Sequence, residues 1–254
     1  MIGGGGLVAA TAAAARSALA LLLPRVCVAS ERLLRAEERG LVSGLCWSRV
    51  ALPPAPTCLR CGHPTGGRAC SWCALWPPWV RAVRSVAWMP GGVAGRLVHA
   101  LKYEGWWKVG EAMADRMARL PWPDDVCRER AAVVAVPLAA ERLRARGYNQ
   151  SAVLARGVAA HWRCDVWDDV LVRARATGAQ ARLTRAERLG NVAGAFLARA
   201  EARSRLRGRH VVLVDDVVTT AATLVACADA LVAGGARIVS CVTFGRARAA
   251  SDRT

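Results

Sequence analysis

Two clusters of residues in this chain have the types and spacing to do chemistry. The first lies in "HVVLVDDVVTTAATLVACADALVAGGARIVSCVTF", residues 210–244. An apolar strand, Val211 to Val214, runs into Asp215 and Asp216, and Thr219, Thr220 and Thr223 follow before a helix. The free N–H groups and the dipole at that helix start favour an anion. The threonine hydroxyls add donors, and adjacent carboxylates accept hydrogen bonds from vicinal hydroxyls, so the constellation suits a ribose 5-phosphate. Helix capping accounts for one such residue, not for five within nine. The second cluster, "CLRCGHPTGGRACSWC", places Cys58-x2-Cys61 and Cys70-x2-Cys73 in one 16-residue window. Two such knuckles can present four thiolates tetrahedrally to a structural zinc ion, with a redox CxxC as the weaker alternative. His63 falls inside the window, but four thiolates already close the site.

Elements with strong apolar patterns must position the first cluster. "AAVVAVPL" (131–138), "DVLVRAR" (169–175), "RHVVLVDD" (209–216) and "RIVSCVTFGRA" (237–247) read as strands. Between them "NQSAVLARGVAAHW" and "TLVACADALVAGG" read as helices, and residues 95–120 as one or two more. Continuous apolar strands alternating with helices predict a parallel sheet covered on both faces, with ligands at the carboxyl ends of its strands. Three regions result. Residues 1–57 are rich in Ala, Arg and Pro, with a helix expected to pack its Leu19, Leu22 and Leu23 side on the protein. Residues 58–80 hold the cysteine cluster with Trp72, Trp76 and Trp79, and residues 81–254 form the α/β domain.

The apolar N-terminal run has no preceding basic residue, is interrupted by Arg16, and is too short to span a bilayer. The expectation is a cytoplasmic protein with no membrane span, in which paired cysteines mean metal. Cys127, Cys164, Cys227 and Cys241 are expected in the core. The formal charge is +17, yet Lys102 and Lys108 are the only lysines among 36 basic residues. That imbalance fits compositional bias as well as polyanion binding. The tryptophans near the cysteines are suited to stacking on single-stranded bases or to packing the ribbon, and packing is preferred.

"VVLVDDVVTTAAT" closely resembles the phosphoribosyl-pyrophosphate (PRPP) motif of type I phosphoribosyltransferases. "HALKYEGWWKVG" (99–110), "VAVPLAAERLRARGYNQSAVLA" (134–155) and "LVRARATGAQARLTRAERLGNVAGAF" (171–196) resemble the ComF family of bacterial competence-related proteins. The likeness covers about residues 20–246 and includes the signature Arg146-Gly147-Tyr148-Asn149-Gln150. It implies an α/β, parallel-sheet type I phosphoribosyltransferase fold with a small N-terminal zinc-ribbon module.

By that resemblance Asp215 and Asp216 hold the ribose hydroxyls. Val217, Val218, Thr219, Thr220, Ala221, Ala222 and Thr223 wrap the 5-phosphate, and Pro137, Leu138 and Arg146 meet the pyrophosphate. Lys102, in "LKY", faces a phosphate or the incoming nucleophile, with Arg142 and Arg144 as further candidate cations. Thr177, Gln180, Arg188 and Asn191 match a hood loop. The implied cofactors are Mg²⁺ with PRPP and structural Zn²⁺ at Cys58, Cys61, Cys70 and Cys73. The implied setting is DNA uptake in natural transformation, beside a helicase handling incoming single-stranded DNA. The implied activity is phosphoribosyl transfer to an unknown acceptor; non-catalytic PRPP sensing and single-stranded DNA binding are the alternatives.

Two departures stand out. Ala221 occupies the position of the motif glycine; in the left-handed region alanine costs roughly 1–2 kcal/mol, an effect of up to about tenfold on affinity. Cys27 and Cys46 resemble the first cysteines of an upstream ribbon in which Ser30 and Arg49 replace the second ones, so a second zinc site is not expected.

Overall fold

The computed structural model describes residues 24–89, 91–174 and 194–248. The expected N-terminal helix and the hood residues Thr177, Gln180, Arg188 and Asn191 lie outside the described residues. From residue 24 the chain begins irregularly, and among the described residues up to 57 the one helix is α1 (Gly44–Ser48). A short 3-10 turn (Ser71–Leu75) carries the second cysteine knuckle. Then follow β1 (Val80–Met89), α2 (Gly92–Tyr103), α3 (Val109–Ala118), α4 (Asp124–Glu129) and β2 (Arg130–Ala135). The rest comprises α5 (Ala140–Arg146), α6 (Gln150–Trp162), β3 (Asp165–Val166), β4 (Leu171–Arg173), β5 (Phe196–Ala198), α7 (Arg203–Leu206), β6 (His210–Val218), α8 (Ala222–Ala233) and β7 (Ile238–Ala247).

Five strands form a parallel sheet in the order β1-β7-β6-β2-β3. Its strands are continuously apolar because both faces are covered. Along β6, Val211 and Leu213 turn to the face packed by Leu224, Cys227 and Leu231 of α8. Val212 and Val214 turn to the opposite face, against Leu97 and Leu101 of α2, Met113 of α3 and Leu154 of α6. Helices α3 and α6 meet closely: a Cβ on Gly157 would lie 2.5 Å from that of Ala114.

Three expectations need correction. The segment 169–175 supplies β4, but β4 pairs antiparallel with β5 in a separate two-stranded ladder rather than joining the parallel sheet. The strand carrying the aspartates does not end at them; it runs on to Val218, with Val217 opposite Gly245 and Val218 opposite Arg246. Cys227 and Cys241 are fully buried, whereas Cys164 is half-buried and Cys127 is exposed. No described helix is long and apolar enough to cross a membrane.

Candidate active site and cysteine centre

The signature Arg146-Gly147-Tyr148-Asn149-Gln150 is a helix stop, a pin and a helix start. Gly147 ends α5 in the left-handed region at φ 82°. Asn149 begins α6, its side-chain oxygen accepting from the Ser151 N–H at 3.0 Å while its amide donates to the Val136 carbonyl at 3.0 Å. Between them the Tyr148 hydroxyl donates to the carbonyl of Leu101, next to Lys102. The chain reversal thus fixes the first turn of α6 against both the end of β2 and the last turn of α2.

That first turn reaches the acidic pair. Ser151 Oγ donates to Asp215 Oδ1 at 2.8 Å, Gln150 Nε2 donates to Asp216 Oδ1 at 3.3 Å, and Lys102 pairs with Asp216 Oδ2. Asp216 is 3% exposed. Burial works against the Lys102 ammonium, but the charge of Asp216 and its hydrogen bond outweigh this and raise the lysine above its ordinary value. Among the described residues no cation pairs directly with Asp215. Burial first, and the Asp216 charge second, push its carboxyl up to about 7.

These groups line a cavity of about 190 Å³ with Pro137, Leu138, Arg142, Arg146, Arg173, Val217, Thr219 and Thr223. Burial, and then the charge of Arg142, lower Arg173 from its ordinary value. The floor is the start of α8. Its N-cap is Ala221, which supplies no side-chain cap, so neither Thr219 nor Thr223 caps the helix there. The cavity brings together two carboxylates, a lysine paired with one of them, three arginines and an uncapped helix start, so it offers acceptors for hydroxyls and donors for anionic oxygens.

Of the residues expected here, Lys102, Pro137, Leu138, Arg146, Asp215, Asp216, Val217, Thr219 and Thr223 line the cavity. Val218, Thr220, Ala221 and Ala222 do not; Val218, Ala221 and Ala222 point into the core under α8. Ala221 adopts φ 65°, so the left-handed conformation is required. Because its methyl group is buried away from the cavity, the strain falls on the fold rather than on the ligand. Gln150 was expected only as part of the signature; Ser151 and Arg173 were not singled out. Ser151 is readable in retrospect as the residue after a helix-starting Asn-Gln pair, and Arg173 as the basic end of a strand.

The cysteine cluster closes as its spacing predicts. The sulfurs of Cys58, Cys61, Cys70 and Cys73 all lie within 4.8 Å of one another, with Cys58–Cys73 at 3.3 Å and Cys61–Cys70 at 3.4 Å. Zinc–sulfur bonds of about 2.3 Å put tetrahedral thiolates about 3.8 Å apart, so the donor set fits zinc. His63 is not needed as a ligand: it is buried and stacked on Trp72 at 4.3 Å. Trp72 and Trp76 are buried in the core, and Trp79 Nε1 donates to Asp229 at 3.0 Å, so these tryptophans pack the ribbon. Cys27 and Cys46 also converge, with sulfurs 3.6 Å apart in a buried site.

A model of the "Phosphoribosyl transferase domain" family matches residues 146–253. The "DNA utilization protein YhgH" of Salmonella typhi is 34% identical over 233 residues, covering 86% of this chain and 96% of that protein. The protein of the same name from Escherichia coli strain K12 is 31% identical over 229 residues, covering 78% and 95% respectively. A crystal structure of TT1426 from Thermus thermophilus is 20% identical over 54% of this chain and 72% of its own, with a TM-score of 0.29, too distant to bear on the argument.

Proposed function

This chain belongs to the ComF family of phosphoribosyltransferase-domain proteins, the family of YhgH, and from that premise we propose that its cavity binds Mg-PRPP and supports phosphoribosyl transfer. One observation carries the reading: Asp215 and Asp216 share a cavity with Lys102, Arg142, Arg146 and Arg173 above an uncapped helix start. In this reading the two carboxylates accept hydrogen bonds from the ribose 2′- and 3′-hydroxyls. Thr219, Thr223 and the first N–H groups of α8 hold the 5-phosphate. The nucleophile forms its bond to ribose C1 as the bond from C1 to pyrophosphate breaks, and the electron pair leaves with the pyrophosphate oxygen.

Arg142, Arg146, Arg173 and Lys102, which line the same cavity, receive that leaving charge. Lys102 exchanges its Asp216 partner for phosphate oxygens as the ribose hydroxyls arrive. Mg²⁺, bound mostly through ligand and water oxygens near Asp215 and Asp216, would supply further charge neutralisation. The four clustered cysteines hold a structural zinc ion. The likeness to DNA utilization proteins supports a role in handling DNA, and the ComF resemblance implies a cytoplasmic setting beside a helicase.

Calorimetric titration of Mg-PRPP into the zinc-loaded protein tests this. Micromolar binding that weakens about 100-fold or more in Asp215→Asn is expected, and equal binding by the variant overturns the assignment. A second reading, single-stranded DNA binding without transfer, has its own support. Tyr103 is exposed at the cavity, Trp106 and Trp107 are exposed a few residues on in sequence, and Lys108 lies over the Trp107 ring at 5.5 Å. DNA binding that falls steeply with salt and ignores Asp216→Asn would favour that reading.

A further inference from the structure

The cysteine ribbon rests on the sheet through arginines. Arg84 of β1 donates through Nη2 to the Leu59 carbonyl at 2.8 Å and through Nη1 to the Arg60 carbonyl at 3.2 Å, inside the Cys58-to-Cys61 knuckle. Arg246 of β7 donates through Nη2 to the carbonyl of Cys61 itself at 2.6 Å. Arg246 is 1% exposed, the largest of the fully buried side chains. At Gly62 the knuckle backbone lies directly on β1: a Cβ there would come within 2.7 Å of the Val83 carbonyl.

Four thiolates around one zinc ion form a net dianion, and a dianion half-sunk in an apolar interface is unstable unless positive charge is buried with it. Groups that do not ligate a metal but set the field and orientation of its ligands govern affinity strongly.

We propose that Arg246 and Arg84 are the counter-charges of a zinc tetrathiolate at Cys58, Cys61, Cys70 and Cys73, making metal affinity and docking of the ribbon a single property. The proposal rests on the zinc reading above. It also gives the ribbon its place. Arg246 pairs with Val218 across β6 and β7, and Val218 immediately precedes Thr219 of the phosphate turn. The ribbon is therefore anchored one strand from the ligand end of β6.

The test compares the full chain with Arg246→Met, Arg246→Lys and Arg84→Met. Zinc affinity is read by competition with a chromophoric chelator, and thermal midpoints are taken for zinc-loaded and chelator-stripped protein. Arg246→Met is expected to weaken zinc binding at least tenfold and to lower the loaded midpoint more than the stripped one. Arg246→Lys keeps the charge but loses the guanidinium's fixed donors, so its zinc affinity should fall between the parent and Arg246→Met. Arg84→Met should shift affinity in the same direction by less.

Unchanged zinc affinity with equal loss of stability in both forms makes the arginines ordinary packing and overturns the proposal. If Arg246→Met does not fold, unchanged affinity in Arg84→Met overturns it as well. A parent protein that takes up no zinc overturns the zinc reading itself, a result distinguishable from failure of the counter-charge alone.

Discussion

The acidic pair and the cysteine cluster are both concentrations of negative charge, but they are built in opposite ways. The four cysteines come from one short window, and the carbonyls around them are held by arginines from β1 and β7. The two aspartates sit at the meeting point of β6, α2 and α6, elements far apart in sequence. One lysine reaches Asp216 directly, and Asp215 is buried beside it with its carboxyl raised to about 7. In the proposed reading the first charge is matched by a zinc ion and arginines and serves the fold, while the second, a carboxylate pair with one direct lysine partner, serves a ligand. On that reading the difference separates a structural centre from a functional one.

The comparison breaks first at the cysteines if it is wrong. Cys61→Ser should abolish stoichiometric zinc and remove about 3–5 kcal/mol, on the order of 10 °C in thermal midpoint for a chain of this size. Metal analysis and scanning calorimetry read both, and an unshifted midpoint would make the cluster dispensable to the fold.

The same scan sharpens the other side. Asp215→Asn should raise the thermal midpoint at pH 8 even as it removes ligand binding. The folded-state value of Asp215 is raised above the ordinary 3.8, so the native state keeps a proton that the unfolded chain releases. This group's contribution to stability is therefore present at low pH and lost as pH rises from about 4 through about 7. The gain in Asp215→Asn should grow from pH 5 to pH 8, and a flat difference across that range would refute the burial argument.

The smallest effect is at Ala221. Ala221→Gly should relieve left-handed strain worth about 1 kcal/mol, raising the midpoint by a few degrees. The Mg-PRPP dissociation constant should stay within about twofold, since the alanine methyl does not face the cavity. A much tighter complex in the glycine variant would place the strain on the ligand instead.

How much of this could be read in the sequence followed sequence distance. The cysteine centre was legible because its donors lie in one window and zinc dictates their spacing. Strands β2, β6 and β7 were legible because burial on both faces demands unbroken apolar runs. Strand β1 was not recognised, since Arg81 and Arg84 interrupt "VRAVRSVAWM"; each arginine is satisfied by a distant partner, Asp125 and the ribbon carbonyls respectively. The antiparallel pairing of β4 was missed because its partner, β5, follows more than twenty residues later. Asp215, Asp216 and the threonine turn were found by chemistry alone. Tyr148 and Ser151 stand in or next to the signature, but their partners Leu101 and Asp215 were not legible, because only the fold brings those residues together.

The scarcity of lysine gives the Lys102–Asp216 pair a practical consequence. Lys102 is largely covered and held protonated by its carboxylate, whereas Lys108 is exposed. An amine-acylating reagent attacks only the neutral amine, so its two lysine targets differ by an inbuilt protection. The ratio of label at the two positions, read by mass spectrometry, becomes a gauge of whether Asp216 is engaged with its lysine or with something else, and no engineered reporter is required.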